Sequence, residues 1–383
     1  MSTTRARCSG DLPDPIPVEK AVAGLARSRP ARQAGESDPG QAGPRRLTPP
    51  FWSLRPNRAM PKARGLPEDG WVSLRDAFEL PSDARAQRTG GRGSLVSRLQ
   101  WHEPDGSTAI WESRTARKRG FIEVVHDGIA KRIIARPALA VRLRRCNDLS
   151  GISFLFGGAL FTLGALLAQY GGAALPTIDW TFLIGGFWFS TGAYVALVQE
   201  LNSPRKIGDD GALVARPWRW WAYEPNRPGW VTAFVLFCGT LAFAISLVDA
   251  FLSGLSAGQV DRLVWAPEMT GCILFLVSGH IGILEVCHGR FRLMTSSLGW
   301  WIVIVNQIGS WLFMLSGLAA FVRPVTGEAI SVELINWGTA VGAACFSVAG
   351  LAQLFERPAT GSPTHDRGEV RAPRDTPRRP AQR

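Results

Sequence analysis

From residue 149 onward the chain carries six apolar stretches, at 149–169, 178–200, 230–252, 266–287, 300–322 and 334–355, with few charges in the middle of any of them. Each is close to the ~20 residues that a helix needs to cross a bilayer core about 30 Å thick. The pattern predicts an all-α membrane domain over 147–356, with six transmembrane helices in three hairpins, 149–200, 230–287 and 300–355. Upstream the pattern is different. Residues 1–70 hold runs such as Ala42-Gly43-Pro44-Arg45-Arg46 with no periodic hydrophobicity, too little to offset chain entropy, and are expected to form a disordered basic arm. Residues 71–146 form a mixed segment. Its short apolar or alternating runs, Trp71–Leu74, Thr108–Trp111 and Phe121–Val125, are separated by Asp-Gly and Gly-rich breaks and predict brief strands or a short amphipathic element. Residues 357–383 return to a polar, basic composition and are expected to form a disordered tail.

The apolar stretches share an internal pattern. The second stretch of each hairpin carries Trp180, Gly185, Phe189, Ala193 and Gln199; then Trp265, Gly271, Phe275, Gly279 and Glu285; then Trp337, Gly342, Phe346, Gly350 and Glu356. The first stretches carry Gly157-Gly158, Phe161 and Gly164; Gly239-Thr240, Phe243 and Ser246; and Gly309-Ser310, Phe313 and Ser316. At these offsets the small residues and the Phe share one helical face, and small residues let membrane helices approach closely. The pattern predicts three copies of one hairpin.

Composition sharpens this picture. A mean hydropathy of +0.04 averages a polar arm with an apolar bundle. The net charge of +12 is almost all upstream, because residues 1–150 hold 27 of the 43 Lys and Arg but only 16 of the 31 Asp and Glu. The connections after spans 1, 3 and 5 hold only Arg262 and Arg323, whereas those after spans 2 and 4 and the tail are rich in arginine. The bias of Lys and Arg toward cytoplasmic loops then predicts a multi-pass inner-membrane protein with both termini cytoplasmic. Met1 to Pro50 has no apolar core of a secretory signal, so the first span is expected to act as its own insertion signal. The basic residues from Lys131 to Arg145 suit contact with anionic lipid headgroups or a purely topological role. The tryptophans near span ends, among them Trp180, Trp230, Trp265, Trp300 and Trp337, suit a membrane-interface belt.

Several stretches carry a family resemblance: Trp220-Trp221-Ala222-Tyr223-Glu224-Pro225, Trp265-Ala266-Pro267-Glu268, Gly299-Trp300-Trp301, Asn306-Gln307-Ile308-Gly309-Ser310 with Phe313, and Asn336-Trp337-Gly338-Thr339 with Gly342 to Phe346. Over about residues 147–356 the chain resembles bacterial multi-pass membrane proteins with YrhK-like domains. The resemblance implies an uncharacterised membrane module, brings no catalytic residues, and says nothing of residues 1–146.

Candidate chemistry is sparse. Ionisable groups inside a bilayer are costly and functional candidates by default, which singles out His280 near the middle of span 4, with Asn306, Gln307 or Cys238 as conceivable partners. Asn306 is also a candidate for hydrogen bonding across the bundle. Glu285, with Gln199 and Glu356, is expected at a span end where its side chain reaches water. Adjacent Cys287 and His288 point about 100° apart on a helix, which argues against a metal site, and the six cysteines form no ligand framework. The arginines are scattered among Pro, Gly and Ala without a recognition fold, which argues against specific nucleic-acid binding. With no P-loop, HExxH or GxSxG motif, no enzyme activity and no cofactor are expected. The leading expectation is a non-enzymatic scaffold or sensor with an unidentified protein partner and a homo-oligomeric form as further options. A small-solute or ion transporter is the alternative, since repeated hairpins are how many transporters are built.

Overall fold

The computed structural model describes residues 77–80 and 86–359. The expected disordered arm, the run at Trp71–Leu74 expected as a brief strand or amphipathic element, and nearly all of the tail lie outside the described residues. Five strands form an antiparallel meander: β1 (Ala86–Arg92), β2 (Leu95–His102), β3 (Thr108–Glu112), β4 (Phe121–His126) and β5 (Ile129–Ile134). A short helix, α1 (Ser113–Arg119), leaves the sheet between β3 and β4 and returns at Gly120, whose φ of 64° suits glycine at a helix end. The β4–β5 hairpin turns at Asp127-Gly128, both with positive φ, as a two-residue hairpin loop requires. The chain is therefore mostly helical rather than all-α. The runs at Thr108–Trp111 and Phe121–Val125 are strands, each paired with its neighbours.

Six helices are long and apolar enough to cross a membrane: α2 (Pro137–Tyr170), α3 (Leu175–Leu201), α4 (Pro228–Asp249), α5 (Ala257–Val286, with a π-helical turn at Asp261–Trp265), α6 (Leu298–Ala319) and α7 (Val332–Gln353). Each packs against the next and α7 closes back on α2, so the six form a ring. At 34 residues α2 is about 51 Å long, well beyond what the bilayer needs. Its first turns belong to the sheet domain instead: Leu139 and Leu143 join Phe78, Leu99, Trp101, Trp111 and Ile122 in one buried core. The helix starts at Pro137, ten residues before the expected domain boundary, because this core extends it out of the membrane portion.

Inside the ring, each helix contributes one phenylalanine to a common layer: Phe161, Phe189, Phe243, Phe275, Phe313 and Phe346. Phe189, Phe275 and Phe346 form a central triangle with centroid separations of 6.2, 5.9 and 5.2 Å, and the other three pack on its rim. A cavity beside the layer, lined by Phe161, Phe189, Phe243, Phe275 and Phe313 among others, has about 10 Å³, room for about one water. Glycines bring the helices into contact. A Cβ on Gly309 would stand 2.8 Å from the Gly342 carbonyl oxygen, and one on Gly350 would stand 2.8 Å from that of Gly151. Outward-facing Phe156, Phe187, Ile245, Ile273, Trp311 and Val348 are exposed, an apolar girdle of the kind that lipid covers. Among the interface tryptophans, Trp180 and Trp337 are exposed as expected, but Trp230 and Trp300 are buried. Trp230 folds under the α3–α4 loop, its indole donating to the Ala222 carbonyl at 2.9 Å.

Truncating the layer should be costly while trimming the girdle should not. Phe313→Ala is expected to destabilise the bundle by about 3–5 kcal/mol, against about 1 kcal/mol or less for lipid-facing Leu315→Ala, as measured by denaturant unfolding in detergent micelles.

Candidate functional site: a basic helix in a socket of helix ends

The α3–α4 and α5–α6 loops and the segment after α7 all lie at the end of the ring that carries the sheet domain. The Gly91 amide donates to the His288 carbonyl, and the Ala359 amide donates to that of Arg119. At this end α1 inserts between the helix ends. Its sequence, Ser-Arg-Thr-Ala-Arg-Lys-Arg, reads as a solvated basic run, yet Ser113, Arg117 and Lys118 are buried. At 100° per residue, Ser113 and Arg117 share one face while Arg114 and Lys118 share a neighbouring one.

Each face meets a different part of the ring. The Ser113 hydroxyl donates to Glu285 Oε1 at 2.7 Å, and Arg117 Nη2 reaches Glu285 Oε2 at 3.0 Å. Arg117 Nη1 also pairs with Glu200, whose other oxygen lies 2.7 Å from Arg227 Nη2. Arg114 Nη2 donates to Glu356 Oε2 at 2.8 Å. Lys118 Nζ donates to Gln199 Oε1 at 2.7 Å and Asn147 Oδ1 at 2.9 Å. Asn147 Nδ2 turns to the Gln353 and Glu356 carbonyls, and Gln199 Nε2 donates to the Leu143 carbonyl, so the amides knit α2, α3 and α7 around the lysine.

Gln199, Glu285 and Glu356 thus do not reach water. Their residues are 1%, 2% and 4% exposed, because α1 covers the ends they terminate. Each receives one basic residue of α1: Lys118, Arg117 and Arg114 respectively. Ten residues before the small-residue pair of each first helix stand Asn147, Gly229 and Gly299, and these line the same three positions. A Cβ on Gly229 would collide with Arg117 Nη1 and Glu200 Oε2, and one on Gly299 would stand 2.8 Å from Arg114 Nε and 3.0 Å from Glu356 Oε1. Glycine therefore gives each arginine its room, while the third position carries an asparagine that binds the lysine.

The electrostatics follow from burial. Taking an ion out of water costs several kcal/mol, recovered only with good geometry and satisfied hydrogen bonds. Burial pulls the Arg117 pKa down, but the Glu285 and Glu200 carboxylates more than offset it and leave the pKa raised. Burial pushes the Glu356 carboxyl up, but Arg114 and Lys118 outweigh it and hold the pKa below the usual range. Lys118 differs, because its direct partners are neutral. Burial first, then the nearby Arg117 and Arg114, pull its pKa down to about 7.

Of the three candidates from sequence, only Glu285 belongs to this site. His280 is exposed on the outer face of α5, its ring 5.7 Å from that of Phe291. Asn306 is half-buried on α6, and its carbonyl accepts from the Ser310 hydroxyl. His288 turns its Nε2 toward Glu112 at 3.3 Å rather than toward Cys287. Among the described residues no group of three His, Cys, Asp or Glu could hold a metal ion. The part played by the basic residues of α1 is not marked in the sequence; the Gly-Trp pairs at 229–230 and 299–300, which recur at one spacing, are the signal of the room they need. No family model matches the chain, and neither a curated protein nor a solved structure does.

Removing one member of a buried ion pair leaves its partner uncompensated. Arg117→Ala is expected to weaken docking of the sheet domain by about 3–5 kcal/mol, read as a loss of amide protection in Ser113–Arg119 by hydrogen exchange.

Proposed function

We propose that this protein is a non-enzymatic membrane scaffold or sensor in which the amino-terminal sheet domain is coupled to the membrane bundle through α1. The observation that carries the reading is the socket: one short helix binds residues from all three hairpins by buried, charge-assisted contacts. Any rearrangement that moves one hairpin relative to another changes the spacing of Gln199, Glu285 and Glu356, and with it the fit of α1. A domain held this way responds to the state of the bundle, and the bundle responds to whatever binds the domain.

The matching small residues, phenylalanines and polar terminators favour three copies of one hairpin and keep the resemblance to YrhK-like membrane modules in view. The arginine-rich loops at the domain-bearing end favour a cytoplasmic position for that end in a bacterial inner membrane. Arg142, Arg144 and Arg145 are exposed on the part of α2 nearest the sheet domain, which suits contact with anionic headgroups. Against the alternative of transport stands the phenylalanine layer that fills the centre of the ring where transporter repeats commonly frame a solute site.

The test separates coupling from transport. A Cβ on Gly158 would stand 2.5 Å from Ser347 Oγ and 2.6 Å from the Ala343 carbonyl oxygen, so Gly158→Leu wedges α2 away from α7. In nanodiscs this change is expected to lower amide protection of α1 by about tenfold or more while the sheet keeps its own. Unchanged protection in α1, or ion flux through wild-type proteoliposomes above protein-free controls, would contradict the reading.

A further inference from the structure

Lys118 is the odd member of the socket. Its two arginine neighbours take the carboxylates: Arg114 holds Glu356, and Arg117 holds Glu200 and Glu285. Lys118 is 5% exposed and donates only to two amide oxygens, those of Asn147 and Gln199. The groups around it come from every element it packs against. Arg114 and Arg117 lie on α1, Cys146 and Asn147 on α2, Gln199 on α3, and Glu356 just after α7. A neutral amine has two N–H groups and would satisfy both oxygens. An ammonium has three, and among the described residues no third acceptor meets it.

We propose that Lys118 makes the docking of α1 proton-responsive, so that the sheet domain is held more tightly as the pH rises and released more readily as it falls. The docked amine is the more weakly basic one, consistent with its pKa near 7 against the ordinary 10.5. Undocked, Lys118 is solvated and binds its proton over that whole interval. Docking therefore releases a proton between these two values, and raising the pH through the window favours the docked state. Below about pH 7 the lysine is charged in both states and the dependence flattens. The inference rests on the coupling reading only for its consequence, since the docking itself is described by the contacts above.

The experiment uses the full chain in nanodiscs, with fluorophores introduced as non-natural amino acids at exposed Ser94 on the sheet and Tyr170 at the far end of α2. Energy transfer then reports the docked fraction. The docking constant of the wild type is expected to rise by up to about tenfold per pH unit between about pH 7 and pH 9. Lys118→Gln, which keeps an amide donor but cannot titrate, is expected to be flat, and Lys118→Met serves if that variant fails to fold. A flat wild-type profile, or a slope that survives in the Lys118 variants, overturns the proposal. A proton-dependent wild type with unchanged α1 protection in Gly158→Leu would overturn the coupling reading and leave this one standing.

Discussion

The structure depends on how buried charge is neutralised where helix ends meet a soluble domain. Glu200, Glu285 and Glu356 are each nearly or wholly buried, and leaving carboxylates there without partners would cost several kcal/mol apiece. The partners are not supplied by the bundle alone. They come from a seven-residue helix of the preceding domain, with Arg227 from the α3–α4 loop. The membrane helices and the domain thus complete one another, and neither has a satisfied surface at this end without the other.

The phenylalanine layer supports that arrangement from within. One ring from each helix fixes the six helices about a common axis, and the glycines beside those rings let backbones approach closely enough for the layer to close. Lipid gives helices no hydrophobic reason to associate, so packing and interhelical hydrogen bonds must hold them. Here they include the Ser150 hydroxyl on the Gly192 carbonyl, the Ser278 hydroxyl on that of Thr232, and the Ser316 hydroxyl on that of Ile335. The helices that bring Phe161, Phe189 and Phe275 into the layer also carry Asn147, Gln199 and Glu285 into the socket that binds α1.

Much of this was visible in the sequence, and the rest was hidden for physical reasons. The six spans followed from hydropathy, because length and polarity alone decide what crosses a bilayer. The phenylalanines and small residues were visible as a repeat, but sequence could not say that all six rings meet in one layer. Gln199, Glu285 and Glu356 stand out in the sequence as polar span ends, which usually face water, whereas the cover on these comes from residues 113–119. That segment is short and strongly basic, with nothing periodic to mark it as buried; its burial is created by its partners. His280 stood out because an ionisable residue inside an apolar stretch does, yet the rotation of α5 turns it outward.

The central claim is that α1 binds the bundle through specific pairs rather than through general basicity. A double-mutant cycle between Arg117 and Glu285 tests it most directly, using Arg117→Met and Glu285→Gln alone and together in the full chain, with the docking free energy as the readout. The account predicts a coupling energy of about 1.5 kcal/mol or more, in the range of close charge pairs across an interface. Additive effects would contradict it, for then Arg117 and Glu285 would not recognise one another.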